Sequence, residues 1–249
     1  MDALSVSAAS GIRARMESLE MLANNIANQA TSGYKKDREL YGLYRSAESL
    51  AASAGYAPAE PPVSPVIERH WTDFSQGALE FTGNSLDVAL AGGGFFVVQG
   101  PGGPLFTRNG NFRLSAGGTV VTSDGYPVLD GSGSPISLSP SASIEISQEG
   151  EVKQDGLTVA QLGVADFADR SALRKHGGTY FAAAGGNPAT PAERVEVRQG
   201  YVESANLTPA EAAVELVNVM RQFEMLQKAA RLGSDMNQKA IEEVARVRA

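Results

Sequence analysis

The chain has 249 residues, a formal net charge of −7 and no cysteine. The acidic balance argues against a nucleic-acid partner, because neutralising phosphates requires clustered lysine and arginine. Without cysteine the chain can form no disulfide, thiol nucleophile or cysteine-bound metal site.

Targeting signals are equally sparse. The sequence has no run of about 18 apolar residues, so we expect no membrane insertion. The first residues, Met1 to Ser5, lack the basic segment and apolar core of a secretory signal peptide. We therefore expect any export to use a route that cleaves no signal.

The first predicted element is a helix near the N-terminus. Its apolar residues recur at alternating spacings of three and four, which places them on one stripe. They are Ala9, Ile12, Met16, Leu19, Ala23, Ile26 and Ala30. Gly33 can adopt the left-handed conformation that closes a helix, so we expect the helix to end near Thr31. The stripe needs a facing partner to become buried.

The middle of the chain changes character twice. Residues 46–65 are rich in alanine, serine and proline and are predicted to form an extended connector. From about Gln76, short β-prone runs alternate with turn pairs such as Asn109-Gly110. The runs are Leu86–Ala91, Phe95–Gln99, Leu105–Thr107, Asn111–Leu114, Val120–Thr122, Ile136–Leu138, Ile144–Ile146, Val152–Gln154, Val159–Phe167 and Val195–Gln199. Their spacing predicts antiparallel meanders.

The last predicted element is a second long helix. Thr208-Pro209-Ala210-Glu211 has the pattern of a capping box with proline at the first helical position. The apolar stripe comprises Ala212, Leu216, Val219, Phe223, Leu226, Ala230, Ala240, Val244 and Val247, interrupted by Gly233 and Asn237. Asn237 either faces a partner helix, where a buried amide would fix the register, or marks where the stripe meets solvent.

Together these elements predict an α+β fold. Long N- and C-terminal helices would pair as a coiled-coil-like layer, with an antiparallel all-β domain inserted between them. The predicted boundaries are residues 1–75 for the first helix and connector, 76–203 for the β-rich domain, and 204–249 for the second helix. Because the second stripe continues almost to the C-terminus, we expect it to be buried against neighbouring copies.

No set of convergent catalytic groups is found. Gly92-Gly93-Gly94 lacks the lysine and the following helix that phosphate binding needs, so a tight turn or bulge is predicted. His70 and His176 have no second ligand at metal-binding spacing. Glu149 and Glu151 flank a turn and are interpreted as solvated charges. The sequence predicts no enzyme activity, cofactor or metal site.

Four stretches carry a family resemblance. They are Ala23–Asn28 with Thr31–Lys35, Leu86–Leu90 with Gly94–Val98, Phe106–Phe112 with Val121–Leu129, and Gln199–Asn206 with Arg221–Met225. With these stretches in order, the chain resembles the flagellar basal-body rod and hook family, whose members polymerise into the axial structure of the bacterial flagellum. The chain is too short for the additional outer domain of the hook protein, so the resemblance implies a rod subunit. It is more similar to the proximal than to the distal rod type.

The resemblance implies a structural, self-assembling subunit of the axial drive shaft in the basal body. Its partners would be other copies of itself, neighbouring rod subunits and the flagellar type III export apparatus. The terminal helices would become ordered only on incorporation. The distal rod protein of the same family, an envelope ligand-binding module and a secreted hydrolase are the alternatives. The expected assembly interface comprises Ile12, Met16, Leu19, Asn24, Asn25, Ile26, Asn28, Leu216, Val219, Phe223, Leu226, Asn237 and Val244.

Overall fold

The computed structural model describes residues 3–45, 63–140, 142–185, 188–192 and 195–247. The chain divides into two compact units. The helical unit comprises the described residues within 1–27, 37–71 and 209–249. The β unit comprises those within 28–36 and 72–208.

The described part of the helical unit contains two helices and a two-stranded ribbon. Helix α1 spans Ala3–Ala27 and helix α2 spans Pro209–Val247, and the two pack along one another. Strands β1 (Asp37–Arg45) and β2 (Val63–Thr72) pair to form the ribbon, and β1 contacts α1. Over the residues that the structure describes, neither helix has the length and apolarity to cross a membrane.

The helix boundaries agree with the sequence at one end only. Helix α2 begins at Pro209, as the capping pattern predicts. Helix α1 ends at Ala27, short of the predicted Thr31. The reason is tertiary: the amide of Gly33 donates to the Glu203 carbonyl at 2.6 Å, so the segment after α1 follows the β unit and turns away from a helical path.

The ribbon differs from the sequence analysis, which places no strand before residue 76. The predicted connector of residues 46–65 lies outside the described residues except at its end, where β2 begins at Val63. Strand pairing is stabilised by cross-strand neighbours. Because those neighbours are distant in sequence, local pattern does not reveal the ribbon.

Within the described residues, the β unit consists of fifteen short strands and one 3₁₀ turn, Arg170–Ala172. The strands are β3 (Leu79–Phe81), β4 (Val88–Gly92), β5 (Phe95–Gly100), β6 (Gly103–Thr107), β7 (Phe112–Leu114), β8 (Val120–Thr122), β9 (Ile144–Ile146), β10 (Glu151–Gln154), β11 (Leu157–Gln161), β12 (Val164–Asp166), β13 (Leu173–Lys175), β14 (Tyr180–Ala183), β15 (Thr190–Pro191), β16 (Val195–Gln199) and β17 (Tyr201–Glu203). The largest sheet has the order β13-β14-β6-β5-β12-β15, and a second has the order β11-β10-β9. Pairs β16-β4, β17-β3 and β7-β8 complete the unit. These pairs are antiparallel, as predicted.

Two predicted strands are wrong in detail. The run Val159–Phe167 is split into β11 and β12, because the amide of Gly163 donates to the Leu129 carbonyl at 2.9 Å between them. The run Ile136–Leu138 forms one isolated bridge, from Ser137 to Thr119, and no strand. Proline on either side, at positions 135 and 140, has no amide hydrogen to extend a ladder there.

Two apolar clusters form the core of the β unit. Phe95 and Phe96 are adjacent on β5, so their side chains point to opposite faces of the sheet. Phe96 packs in the larger cluster, with Phe112 at a ring distance of 5.1 Å. Phe95 packs in an aromatic cluster with Phe181, at 5.9 Å. Strand β5 is therefore covered on both faces, which explains its nearly continuous apolar sequence.

Candidate functional site

The buried face of α1 is offset by one residue from the predicted stripe. From residue 8 onward, where the side chains of α1 are described, the buried residues are Ala8, Gly11, Ala14, Ser18, Leu22 and Asn25. The part of the predicted stripe that lies on the helix, called here the α1 seam, comprises Ala9, Ile12, Met16, Leu19, Ala23 and Ile26. In the seam Ala9, Met16 and Ala23 are exposed, and Ile12, Leu19 and Ile26 are half-buried. Ala30 lies beyond the end of the helix.

Close helix packing explains this offset. A Cβ atom at Gly11 would lie 3.2 Å from the Leu226 side chain, so the absence of a side chain lets α2 approach α1. The small residues at positions 8, 11, 14 and 18 are therefore buried in contacts within the chain. The larger apolar residues of the α1 seam remain accessible, and their role at an assembly interface stays a prediction.

The predicted stripe of α2 is largely packed within the chain. Ala212, Val219 and Gly233 are buried, and Leu216, Phe223, Leu226 and Ala230 are half-buried. Asn237 is exposed, and the side chain of Val244 lies outside the described residues. Contact between Leu226 and Gly11 shows that this stripe faces α1 at that level. The interface predicted at Leu216, Val219, Phe223 and Leu226 therefore has an intrachain component.

A second apolar stripe on α2 escaped the sequence analysis. This outer stripe comprises Val214, Val217, Met225, Leu232 and Met236, whose exposed fractions range from 46% to 68%. Val214, Met225, Leu232 and Met236 are separated by eleven, seven and four residues, close to whole helical turns. They therefore share one face, directed away from the face that packs on α1. The spacing of these residues in the sequence was the signal that could have revealed the stripe.

Asn25 has a defined role inside the helical unit. Its side-chain amide donates to the Asp37 carbonyl at 2.9 Å, and its side-chain carbonyl accepts from the Asp37 amide at 3.0 Å. Asn25 thus pairs with the first residue of β1 as a neighbouring strand would. On the same side of α1, Ser18 donates to the Glu39 carboxylate at 2.7 Å. Of the other predicted asparagines, Asn24 is exposed and Asn28 is half-buried.

We expect Asn25→Ala to lower the free energy of unfolding by about 1–3 kcal/mol, since it removes two hydrogen bonds to the Asp37 backbone. Chemical denaturation followed by circular dichroism measures this loss. The matched control is Asn218→Ala, at an exposed position of α2, which should change stability by less than about 0.5 kcal/mol. Equal effects at the two positions would contradict the pairing role.

A buried ionic cluster lies in the β unit, formed by Lys35, Arg108 and Glu203. Lys35 Nζ lies 2.5 Å from Glu203 Oε1, and Arg108 Nη1 lies 3.1 Å from Glu203 Oε2. The exposed fractions of the three residues are 0%, 2% and 0%. Burial lowers the pKa of the Lys35 ammonium, and Glu203 opposes that shift. Burial likewise lowers the pKa of the Arg108 guanidinium, again against Glu203.

Backbone groups make further hydrogen bonds to the cluster, which carries two cations and one anion. Lys35 Nζ donates to the Ser75 carbonyl at 2.6 Å, and Arg108 Nη2 donates to the Gly92 carbonyl at 2.6 Å. The Gly77 amide donates to Glu203 Oε1 at 2.8 Å. Carbonyl dipoles therefore offset part of the excess positive charge, as buried charges require.

The backbone conformation at Gly33 helps to bring Lys35 close to Arg108. Gly33 has φ +70°, and a Cβ atom there would overlap the backbone of Arg108 and Asn109. Only glycine lets the segment before Lys35 lie against that backbone. Tyr34 is buried beneath Lys175 Nζ, which sits 4.4 Å from its ring centroid.

The motifs quoted in the sequence analysis meet around this cluster. Lys35, Arg108 and Glu203 come from three of the four, and Leu90 of the remaining one accepts from Arg108 Nη1 at 3.3 Å. Asn206 joins them through the Ser75 carbonyl, which accepts from its side-chain amide at 3.2 Å as well as from Lys35 Nζ. Sequence reasoning missed the cluster; isolated charges inside glycine-rich, apolar motifs were the only signal.

The remaining sequence predictions concern the glycine run and metal binding. Gly92 at the end of β4 and Gly94 just before β5 have φ of 107° and 102°, so residues 92–94 form a bend from one strand into the next, where the sequence predicts a tight turn or bulge. Among the described residues, no group of three or more histidine, aspartate or glutamate side chains could hold a metal ion.

These features define a class of protein. The motif residues of the β unit hold its own fold together, and the helices present apolar stripes at their surface. Long helices with open apolar faces are typical of structural proteins that associate through them.

Comparison with known proteins identifies the family. Residues 89–154 match the model of the flagellar hook protein FlgE/F/G D1 domain, and residues 198–243 match that of the flagellar basal body rod FlgEFG protein C-terminal region. The chain is 32% identical to flagellar basal-body rod protein FlgF of Rhizobium meliloti over 231 residues, covering 90% of each chain. It is 31% identical to flagellar basal-body rod protein FlgG of Agrobacterium fabrum over 264 residues, covering 95% of this chain and 97% of the relative.

The chain belongs to the flagellar basal-body rod protein family. It is a structural subunit of the rod, is located in the flagellar basal body and assembles with other rod subunits. It is not an enzyme, so the secreted-hydrolase alternative does not hold.

Proposed function

We propose that this chain is a proximal rod subunit, delivered by the flagellar type III export apparatus, whose helices form a coiled-coil-like inner layer of the rod. Family membership supports the export route. The compact β unit and the sequence Arg-Gln-Phe-Glu-Met at 221–225 support the proximal type. Relatives named FlgF and FlgG match this chain at similar sequence identity. An experiment is therefore needed to choose between the proximal and the distal type.

Genetic complementation tests the subtype. The full chain is expressed in a strain that lacks its FlgF-type rod protein and, separately, in one that lacks its FlgG-type protein. Restored motility in the first strain alone is expected. Restoration in the second strain alone would assign the chain to the distal type.

The α1 seam is the observation that carries the assembly proposal. Met16 is 50% exposed at its centre, whereas Ala14 and Ser18 on the neighbouring face of α1 are buried within the chain. Burying such a stripe between copies removes apolar surface from water, at about 25 cal/mol per Å². A charge placed in the stripe would have to be buried unpaired, which is costly.

We therefore expect Met16→Glu to weaken self-association at least about ten-fold, equivalent to about 1.4 kcal/mol. The monomer should lose little stability, because the position is open to solvent. Sedimentation velocity over a range of concentrations measures the association. Val159→Glu is the matched control, since Val159 is 47% exposed on β11, and it should leave association unchanged. A Met16→Glu variant that associates normally would exclude the α1 seam from the interface.

A further inference from the structure

Residues 28–36 form a loop whose two ends are joined within the helical unit. Helix α1 ends at Ala27 and β1 begins at Asp37, so the chain enters and leaves the loop through that unit. Asn25 closes the base of the loop by exchanging two hydrogen bonds with the Asp37 backbone, at 2.9 and 3.0 Å. The loop itself groups with the β unit. Because its ends are held together, the loop can move as one compact element.

The last four residues of the loop, 33–36, each form a backbone hydrogen bond with the β unit. The bonds run from Gly33 N to the Glu203 carbonyl (2.6 Å), from Asn206 N to the Tyr34 carbonyl (3.4 Å), from Lys175 Nζ to the Lys35 carbonyl (2.8 Å), from Lys36 N to Asn206 Oδ1 (2.8 Å) and from Asp73 N to the Lys36 carbonyl (2.9 Å). Tyr34 and Lys35 are buried. Main-chain bonds combined with buried side chains are the contacts by which proteins recognise peptide segments.

We call residues 33–36 the docking segment. Its docking site on the β unit comprises Asp73, Ser75, Arg108, Lys175, Glu203 and Asn206.

The strands and the core of the β unit do not use this loop. Across the described residues, no β-unit strand pairs with residues 28–36, and neither of the two apolar clusters includes a residue from them. Removing Lys35 would leave Glu203 bonded to Arg108, 3.1 Å away, and to the Gly77 amide, 2.8 Å away. One buried cation would then face one buried anion. The docking site is therefore charge-balanced without its segment, as expected of a binding site that exists before its ligand arrives.

We propose that the docking site of one copy receives the docking segment of a second copy, so that neighbouring copies exchange their loops. This inference rests on the self-assembly proposed above, which brings copies together, and it uses no residue of the α1 seam. Exchange makes between chains the same bonds that the segment makes within one chain, so little changes besides the connectivity. Fixing two copies side by side raises the effective concentration of each segment at the other site.

Charge and shape select this occupant. An ammonium group has to reach the buried Glu203 carboxylate. Glycine is required two residues earlier, because a Cβ atom there would overlap the backbone of residues 108–109. The spacing Gly-x-Lys occurs once in the chain, at residues 33–35. Within an assembly of identical chains, the docking site therefore fits only the docking segment of another copy.

Complementary full-length variants test the exchange. The acceptor carries Lys35→Glu, which places a carboxylate against Glu203, so that its own segment is repelled and its docking site is left free. The donor carries Glu203→Gln, which keeps an intact docking segment but removes the carboxylate that receives one. Both chains also carry Met16→Glu, so that association through the α1 seam is removed. Sedimentation velocity is recorded for each chain alone and for the mixture at the same total concentration.

The expected result is a two-chain species that is at least about ten-fold more abundant in the mixture than in either chain alone. An excess of a synthetic peptide of residues 28–37 should remove this species by filling the docking site of the acceptor. The same peptide with Lys35→Glu should leave it intact. The matched control donor carries Glu196→Gln, from an exposed ion pair, in place of Glu203→Gln. Its own segment stays docked, so it should form no mixed species.

A folded acceptor that gives no mixed species would overturn the exchange, as would a mixed species that resists the unsubstituted peptide. A cooperative urea transition shows that the acceptor is folded. If Lys35→Glu abolishes that transition, Gly33→Val serves as the second acceptor, because its side chain would overlap residues 108–109. Loss of the transition in both acceptors would show that the segment belongs to the fold of the β unit, which also overturns the proposal. Failure of the α1-seam proposal looks different, since each chain alone would then associate despite Met16→Glu.

Discussion

Glu203→Gln is expected to lower the free energy of unfolding of the β unit by about 3–5 kcal/mol, the cost of breaking a buried ion pair from one side. The substitution keeps the shape of the side chain and removes the only negative charge of the cluster. Lys35 and Arg108 would then be two buried cations with no anion between them. Urea denaturation followed by circular dichroism, fitted for midpoint and slope, measures the change.

Two comparisons separate charge from packing. Glu196→Gln removes a carboxylate from an exposed pair, 3.2 Å from Arg198, and should cost less than about 1 kcal/mol. Lys35→Met leaves Arg108 paired with Glu203, so it should cost less than Glu203→Gln. The double variant Lys35→Met/Glu203→Gln should be more stable than the summed losses predict, by about 1–3 kcal/mol. Strict additivity would show that the three charges do not act as one unit.

Gly33→Ala is expected to destabilise the chain by about 2–5 kcal/mol. At φ +70° an alanine costs about 1–2 kcal/mol through strain alone. Its methyl group would in addition overlap the backbone of Arg108 and Asn109, and overpacking of this kind typically costs about 1–3 kcal/mol. Moving the segment would stretch the hydrogen bond from the Gly33 amide to the Glu203 carbonyl.

The chain provides matched glycines for this test. Gly156 has φ +82°, and no described atom lies within 4 Å of the position that an alanine methyl group would take, so Gly156→Ala should show the strain alone, about 1–2 kcal/mol. Gly102 has neither a positive φ nor a described neighbour within 4 Å, so Gly102→Ala should be neutral or slightly stabilising. The expected order of melting temperatures, from the highest, is Gly102→Ala, then Gly156→Ala, then Gly33→Ala. A Gly33→Ala variant as stable as Gly156→Ala would show that the close approach to residues 108 and 109 is not constraining.

The Glu203 and Gly33 variants both act on the segment that follows α1. Gly33 and Lys35 lie in residues 28–36, which group with the β unit although they are distant from it in sequence. Glu203 bonds this segment through its carboxylate and through its carbonyl. The experiments therefore measure how firmly the β unit holds the chain segment that leaves α1.

Much of this protein follows from local sequence. The capping pattern placed the start of α2 at Pro209, because proline and a side-chain cap act within one turn. Short β-prone runs separated by glycine-containing pairs located strands such as β8 and β9 correctly, since strand and turn preferences are local. Four ordered motifs were also enough to indicate the rod family.

Three other features depend on tertiary structure. Which stripe of α1 is buried depends on how closely α2 approaches Gly11, and the apolar pattern by itself favoured the neighbouring stripe. The ribbon requires β1 and β2 to meet across residues 46–62, so neither strand is specified alone. Lys35, Arg108 and Glu203 come together from positions up to 168 residues apart. Such a cluster is stabilised only where the fold removes water from all three charges at once, and a linear sequence does not record that condition.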